Sequence, residues 1–314
     1  MICPICNNDK NNSKFIIKEM QQGLREEFEY IECSNCGCLF IKNIPENIDK
    51  YYDTNYSPHK HKSTLKDNIL DKIFAMYLTN NKLIKLIQGE NVTITTKFWN
   101  NLITKGVMNK NSSILDVGCG DGKFLSTLKK GGFKNLTGID LFINEENMKK
   151  DVKIIQSSLE DFHPGIKYDV IISNHAFEHM DNQLENLKCF EKLVNEKGII
   201  VIRIPVKTTP VWKKYGVNWY QIDAPRHFFL HTVKSFKILC NKTNLVIDDI
   251  IFDSFEDVFL SCEKYSKNIS RRDKEWNTYK FDEKTIIQLK NEVKYLNKNN
   301  EADQAIFVLK LKNK

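Results

Sequence analysis

The sequence predicts an α/β fold, with a buried, mostly parallel sheet from about residue 111 onward, preceded by a small cysteine-rich unit and a helical connector. Three observations carry this. Continuous apolar runs such as Ser113–Val117, Asp169–Asn174 and Gly198–Ile204 alternate with segments of helical period, the pattern of strands covered on both faces. A glycine-rich turn, Gly118-Cys119-Gly120-Asp121-Gly122, directly follows the first of those runs. Two Cys-x-x-Cys knuckles, Cys3/Cys6 and Cys33/Cys36, open the chain.

The 314 residues fit one large domain with appendages or two domains, and 41% hydrophobic with 28% charged residues is the composition of a globular protein with a sizeable core. No apolar run approaches the roughly 20 residues needed to span a bilayer. The opening Met1-Ile2-Cys3-Pro4 lacks the basic and then apolar regions of a signal peptide, so no membrane insertion and a cytoplasmic location are expected. The net charge is +7, but five of the 47 basic residues are arginine, the residue favoured for phosphate and base contacts. That scarcity counts against nucleic acid as a partner and leaves a weak attraction to anionic substrates.

Residues 1–42 form the first unit. An alternating stretch, Phe28-Glu29-Tyr30-Ile31-Glu32, reads as a strand between the knuckles. Cys3, Cys6, Cys33 and Cys36 can close tetrahedrally around one zinc, in a zinc ribbon-like module with Gly37 in the turn after the second knuckle. So small a unit buries too little core to fold alone, and metal binding supplies the missing free energy. With four protein ligands the site is closed, hence structural rather than catalytic. The alternative is four buried cysteines without metal. Cys38 is left over.

Residues 43–110 form the connector. Pro45, Tyr51-Tyr52 and Tyr56-Ser57-Pro58 read as irregular, and a helix follows from Leu65 to Ile87, with Leu65, Ile69, Ile73, Tyr77 and Ile84 near one face. A shorter helix covers Lys97 to Lys105. The connector reads as a packing cap, with Tyr51, Tyr52 and Tyr56 as an alternative lining of a substrate entrance.

Residues 111–314 carry the sheet. Strands are expected at Ser113–Val117, Leu136–Ile139, Val152–Gln156, Asp169–Asn174 and Gly198–Ile204, with helices at Lys123–Lys130 and Asn182–Val194. Thr232–Lys242 reads as a helix, and Leu245–Phe252 and Ala305–Lys312 as strands. Between those last two strands, about 253–303 is an insertion rich in Lys, Asn and Glu, helical around Glu283–Leu296. There is no internal repeat.

The glycine turn carries the first chemistry. A turn of this kind after a strand lets a ligand approach the backbone closely beside the next helix. A nicotinamide dinucleotide calls for Gly-x-Gly-x-x-Gly, whereas here the spacing is Gly-x-Gly-x-Gly, with Asp116 two residues ahead. A carboxylate there repels a pyrophosphate and suits an ammonium and a sulfonium, the groups of S-adenosylmethionine. Asp140 closes the next strand, about 20 residues on, where an acid accepts both ribose hydroxyls.

Through Leu115–Gly122, Gly138–Asp140 and Asp169–His179, the segment Asn111–Pro205 resembles the class I S-adenosylmethionine-dependent methyltransferases. The resemblance implies a Rossmann-like seven-stranded sheet with its last strand antiparallel, completed by Leu245–Phe252 and Ala305–Lys312. It implies Asp116, Gly118 and Gly120 at the methionine part of the cofactor, Asp140 at the ribose and Leu141 against the adenine. Cys119, Gly122, Ser158, Leu159 and Asn174 fill out the cofactor-binding set. The acid usual after the third strand is replaced, leaving either Ser158 or Asp161 for the adenine.

Ser173–His179 and the loop with Trp219, Asp223-Ala224-Pro225-Arg226-His227, Phe229 and His231 resemble the subgroup acting on small molecules and sugars, many in surface-polysaccharide pathways. The four-cysteine module before the methyltransferase segment is similar to that of sugar C-methyltransferases. Those carry a further C-terminal domain that is not expected here, which counts against a carbon acceptor. In α/β folds ligands collect outside the carboxyl ends of the strands, so His175, Glu178, His179 and His227 can converge on the transferred methyl. A histidine can remove a proton from a hydroxyl at neutral pH. For each, a packing or capping role is the alternative; His163 in its connection and His59 and His61 in a lysine-rich loop have no evident role. The expected function is methylation of a small-molecule hydroxyl, on a sugar or sugar nucleotide. The rivals are an RNA methyltransferase with a zinc module and a non-catalytic cofactor-binding protein.

Overall fold

The computed structural model describes residues 1–52, 75, 93–143, 148 and 150–312, organised on two sheets. The smaller begins with β1 (Ser13–Lys18), β2 (Glu27–Glu32) and β3 (Leu39–Ile41), all antiparallel. The larger contains β4 (Ser113–Val117), β5 (Asn135–Asp140), β6 (Lys153–Gln156), β7 (Tyr168–Asn174) and β8 (Val194–Pro205). The two-residue β9 (Phe229–Leu230) then returns to the small sheet, and β10 (Leu245–Phe252) and β11 (Gln304–Leu311) complete the large one.

The order across the large sheet is β10-β11-β8-β7-β4-β5-β6. The five strands from β8 to β6 run parallel, and β11 lies antiparallel to both β8 and β10. This is the expected seven-stranded, mostly parallel sheet. The middles of its central strands are apolar because both faces are covered there, while the edge strands β6 and β10 expose polar residues such as Lys153 and Asp249. Alternate residues feed opposite cores: Leu115, Ile171, Ile200 and Phe307 point into one, and Ile114, Val170, Val201 and Ile306 into the other. Fully burying one such side chain contributes about 1.5–3 kcal/mol.

The N-terminal unit packs on the first of those faces, where Cys3, Ile5, Tyr30 and Leu39 join the same core as β7 and β8. Backbone pairing ties it in as well, because β3 pairs with β9 through Leu39–Leu230 and Phe40–Phe229. Thr232 Oγ1 donates to the carbonyl of Cys36 at 2.6 Å and also accepts the N–H of Ser235, capping helix Val233–Cys240.

Several elements went beyond the sequence pattern. β1, β3 and β9 are short and flanked by turns, so their alternation is weak. Helices Thr209–Tyr215, Glu256–Ser266 and Glu275–Thr278 were not expected, although Glu283–Lys298 was, and it buries Leu289, Val293 and Leu296. The connector helix starts at Ile94 rather than Lys97, because Thr93 Oγ1 accepts the N–H of Thr96 and sets the cap. The expected helix Leu65–Ile87, with Leu65, Ile69, Ile73, Tyr77 and Ile84, lies outside the described residues, as do Tyr56, His59 and His61. Among the described residues, no helix is long and apolar enough to cross a membrane.

Candidate active site

A cavity of about 1210 Å³ opens over the carboxyl ends of β4, β5 and β7. One drug-sized ligand fills roughly 300–1,000 Å³, so the space accommodates a cofactor together with an acceptor. One wall is the glycine loop and the other is a group of histidines.

The loop is held by backbone contacts between neighbouring strands. The N–H groups of Gly118 and Cys119 both donate to the carbonyl of Ile139, at 2.8 and 3.1 Å. Gly118 has a φ of 73°, and a side chain there would stand 2.3 Å from the Cβ of Ala176. Gly122, at a φ of 80°, caps helix Lys123–Lys130, and a Cβ would strike Ile154. Asp140 accepts the N–H of Gly120 and of Phe142, both at 2.9 Å, which fixes its carboxylate at the cavity wall. Gly118, Cys119, Gly120, Asp140, Leu141, Ser158, Leu159 and Asn174 all line the cavity.

Two residues of the expected set do not. Asp116 is 4% exposed and sits beneath the loop, and Gly122 faces the β6 side chains rather than the cavity. Burial, and then the charge of Asp140, push the Asp116 carboxyl up to about 7. Of the two adenine candidates, Ser158 reaches the cavity while Asp161 holds it from behind, accepting its hydroxyl proton at 2.6 Å. The loop therefore fits the cofactor: glycine where the backbone must come close, and an acid anchored at the position for ribose.

The histidine wall begins at the end of β7. His175 takes a φ of 53° and is tied on both ring nitrogens, with Arg203 donating to Nε2 at 2.8 Å and Nδ1 facing Glu178 Oε1 at 3.3 Å. Burial, then the nearby Arg203 charge, hold its pKa down. Glu178 is fully buried. Burial pushes its carboxyl up, but the His175 hydrogen bond and the fields of His227, His175 and His179 outweigh this and hold it at about 2. His179 Nδ1 donates to the carbonyl of Arg226 at 2.9 Å and also lies 3.0 Å from the Tyr52 hydroxyl. Burial, then His227, lower it to about 4.

His227 comes from the loop between β8 and β9. Trp219 anchors that loop by donating its indole N–H to Asp303 at 2.7 Å, and Tyr30 of β2 donates to the carbonyl of His227 at 3.0 Å. The His227 Nδ1 donates to the Gln221 carbonyl at 2.8 Å. Its Nε2 therefore keeps a lone pair, 3.6 Å from Asp223 and 3.9 Å from Glu178. The rings of His179 and His227 meet edge to face at 4.5 Å. His231, by contrast, is fully buried, bound on both sides by Ser235 and Gln183, and packs a core.

Part of the cavity lining was not legible in the sequence. Tyr220, Arg271 and Trp276 line it beside Arg226 of the histidine loop, and Arg271 lies 5.0 Å over the Trp276 ring. Two of these come from the 253–303 segment, whose lysine-rich composition gave no sign of a binding role.

At the other end of the chain, the four N-terminal cysteines converge. Cys3 and Cys36 sulfurs are 3.7 Å apart, and those of Cys6 and Cys33 are 3.5 Å apart. These are too long for disulfides and close to the ~3.8 Å edge of a tetrahedron built on zinc–sulfur bonds of about 2.3 Å. Amide donors from Asn8 and Asn35 point at two of the sulfurs, as thiolates require.

Comparison with known proteins agrees with this geometry. The family described as "Methyltransferase domain" matches residues 94–250, half of the chain. Among curated proteins, the ubiquinone biosynthesis O-methyltransferase of Rickettsia bellii is 29% identical over 154 residues, covering 44% of this chain and 62% of its own length. That of Rickettsia typhi is 35% identical over 44% of this chain and 61% of its own. The malonyl-[acyl-carrier protein] O-methyltransferase 1 of Ilyobacter polytropus is 27% identical over 60% of this chain and 80% of its own. The chain thus spans about three fifths of the length of the first relatives it matches. Among solved structures, a coclaurine N-methyltransferase bound to N-methylheliamine and SAH is 13% identical, with a TM-score of 0.47 over 86% of this chain and 89% of its own. With the family match running from the connector helix through the glycine loop and the histidine turn to β10, the chain belongs to the class I S-adenosylmethionine-dependent methyltransferases.

Proposed function

We propose that this chain methylates a hydroxyl oxygen of a small molecule, with His227 taking the proton. The observation that carries the reading is the single committed nitrogen of His227. With Nδ1–H on a backbone carbonyl, Nε2 is left to accept a proton in a cavity whose opposite wall is the glycine loop. When bound, S-adenosylmethionine supplies a methyl already activated on a sulfonium. Gly118, Gly120 and Asp140 would hold that cofactor, which would supply its methyl to the acceptor oxygen and leave as a neutral thioether, while the hydroxyl proton passes to His227 Nε2 and then to water. Glu178 stabilises the imidazolium so formed from 3.9 Å away. His175, with both nitrogens committed, positions Glu178, and His179 packs beside His227.

The O-methyltransferase names of the relatives support oxygen as the acceptor atom. Nothing among them supports the sugar or the surface-polysaccharide setting expected from the sequence, so the proposed class is a small hydroxyl-bearing molecule. Incubation of the protein with labelled S-adenosylmethionine and panels of phenols, nucleotide-sugars and RNA tests this by product mass. A methylated small molecule is expected. Methylated RNA alone overturns the reading in favour of the RNA enzyme, and no transfer to any panel favours a binding protein.

We further propose that Cys3, Cys6, Cys33 and Cys36 hold one structural zinc in a reducing, cytoplasmic setting. Metal analysis should find about one zinc per chain, lost in Cys33→Ser. Because Tyr30 and β3 brace the His227 loop, that variant should also lose turnover while keeping its cofactor affinity. Freshly prepared, unchelated protein without zinc overturns the assignment.

A further inference from the structure

We propose that Arg271 forms an oxyanion subsite in the cavity, so that the acceptor carries a carboxylate or a phosphate besides the hydroxyl that is methylated. The inference rests on the reading of this cavity as a methyl-transfer site and narrows its substrate class. Lysine dominates the cations of this chain, yet three of its five arginines, Arg226, Arg271 and Arg272, line the cavity. Their states differ. Arg226 is matched by Asp223, as Arg25 is by Asp273 and Arg203 by Asp253. Arg272 donates to Gln22 Oε1 through Nε and Nη2, both at 3.2 Å. The Arg271 guanidinium lies 5.0 Å over Trp276, and among the described residues no carboxylate pairs with it and no acceptor takes its side-chain N–H groups. Attraction to the ring face holds the cation and leaves its donor fork to grip an oxyanion bidentately.

The cation sits on a braced segment. The Arg271 N–H donates to the carbonyl of Met20 at 2.8 Å, the Ser270 N–H to Asp273 at 2.7 Å, and Trp276 is buried in a small core with Met20 and Tyr265. A second cation adds to the field. Lys264 Nζ lies 4.5 Å from the centre of the same Trp276 ring, and burial, then the Arg271 charge, hold its pKa down. An oxyanion beside Arg271 offsets the repulsion between the two. The subsite is also joined to the reacting centre. Trp276 stacks on Tyr220, with ring centres 6.3 Å apart, and the next residue, Gln221, offers the carbonyl that takes the His227 Nδ1–H. An acceptor lying along this wall meets the base with its hydroxyl and Arg271 with its anion. Arg271 and Trp276 lie beyond residues 94–250, which match the family, so the contact serves acceptor recognition in this chain rather than the shared cofactor loop.

The test uses the full chain with its arginines labelled with nitrogen-15 and saturated with S-adenosylhomocysteine. It is titrated with inorganic phosphate and, separately, with acetate at constant ionic strength, following the arginine Nε–H signals by nuclear magnetic resonance. Five arginines give few signals, and Arg271→Lys identifies the one concerned. The expected result is a saturable shift at Arg271 with Arg25 and Arg203 unmoved. Tighter response to phosphate assigns a phosphate-bearing acceptor, and tighter response to acetate a carboxylate-bearing one. No saturable shift at Arg271 with either anion overturns the subsite, and so does a shift no larger than that of Arg25. In Arg271→Gln, the KM of whichever acceptor is methylated should rise about ten- to a hundredfold, with a far smaller change in kcat and none in the affinity for S-adenosylmethionine. Cofactor affinity falling in step with KM gives the cation to the cofactor's own carboxylate and overturns the proposal. The wild-type titration stands even where a variant fails to fold. Methyl transfer to a neutral acceptor, with Arg271 silent toward both anions, removes the subsite and leaves the functional reading intact. A saturable shift at Arg271 without transfer to any acceptor retains the subsite and overturns the functional reading.

Discussion

The glycine wall of the cavity comes from the ends of neighbouring strands, Gly118–Gly120 after β4, Asp140–Phe142 at β5 and Ser158–Leu159 after β6, whereas the histidine wall draws on Tyr52, the turn after β7, the loop between β8 and β9 and the 253–303 segment. In the first, neighbouring parallel strands bond through their backbones, so distance along the chain is translated almost directly into distance in space. In the second, side chains from remote segments meet because buried contacts such as Trp219–Asp303 and Tyr30–His227 hold their loops together. The glycine wall is built to bind and the histidine wall to act on what is bound. Damage to each should therefore have a different kinetic signature.

The largest expected effect is on the histidine wall. His227→Ala should lower turnover by about 10²–10⁴, the usual contribution of a positioned base, with little change in cofactor affinity. Single-turnover kinetics beside calorimetry measure the two separately. If affinity falls in step with turnover, the walls are not independent.

The glycine wall should show the converse. Asp140→Ala removes the anchored acid and should weaken S-adenosylmethionine binding by about 1.5–3 kcal/mol, or ten- to a hundredfold. Gly118→Val forces a side chain into Ala176 and should cost at least as much. Calorimetry with S-adenosylmethionine and NAD checks this, and tighter binding of NAD would refute the reading of the glycine spacing.

A smaller effect separates His231 from His227, four residues apart. Burial holds His231 at about 3, against an ordinary value of 6.5. It stays neutral when folded and takes a proton when unfolded, so its contribution to stability is complete above pH 6.5 and is lost as pH falls from there toward 3. Within that window the slope is about 1.4 kcal/mol per pH unit. Burial of His179 adds a similar slope down to about 4. Glu178, held at about 2, loses its contribution only below 4.5, whereas Asp116, raised to about 7, gives an opposing slope between about 4 and 7 that wild type and variant share, so their difference between pH 5 and 7 isolates His231. Denaturant unfolding should show a shallower acid slope in His231→Gln than in the wild type. Equal slopes would mean that the ring is protonated in the folded state.

Much of this was legible in advance. The β4 and β10 limits and helix Lys123–Lys130 coincide with the apolar pattern, since continuous burial writes itself into composition. The glycines of the loop were readable because a left-handed backbone needs them. The burial of Asp116 was not readable: a carboxylate beside a motif does not reveal that it lies beneath the loop rather than on the cavity surface. The Arg271 and Trp276 lining was unreadable because both sit among lysines and asparagines with no periodic partner.

By itself, then, the sequence determined the sheet, the cofactor loop and the cysteine cluster, each of which depends on residues adjacent in the chain or at a fixed short spacing. It offered His175, His179 and His227 together as candidates at the transferred methyl, with His231 a further member of the same loop. Only the tertiary structure divided them, because a histidine's chemistry depends on which of its two nitrogens is already bound. Those partners are the carbonyls of Arg226 and Gln221, the guanidinium of Arg203 and the side chains of Ser235 and Gln183. Several of them lie far away along the chain and reach the rings only through folding.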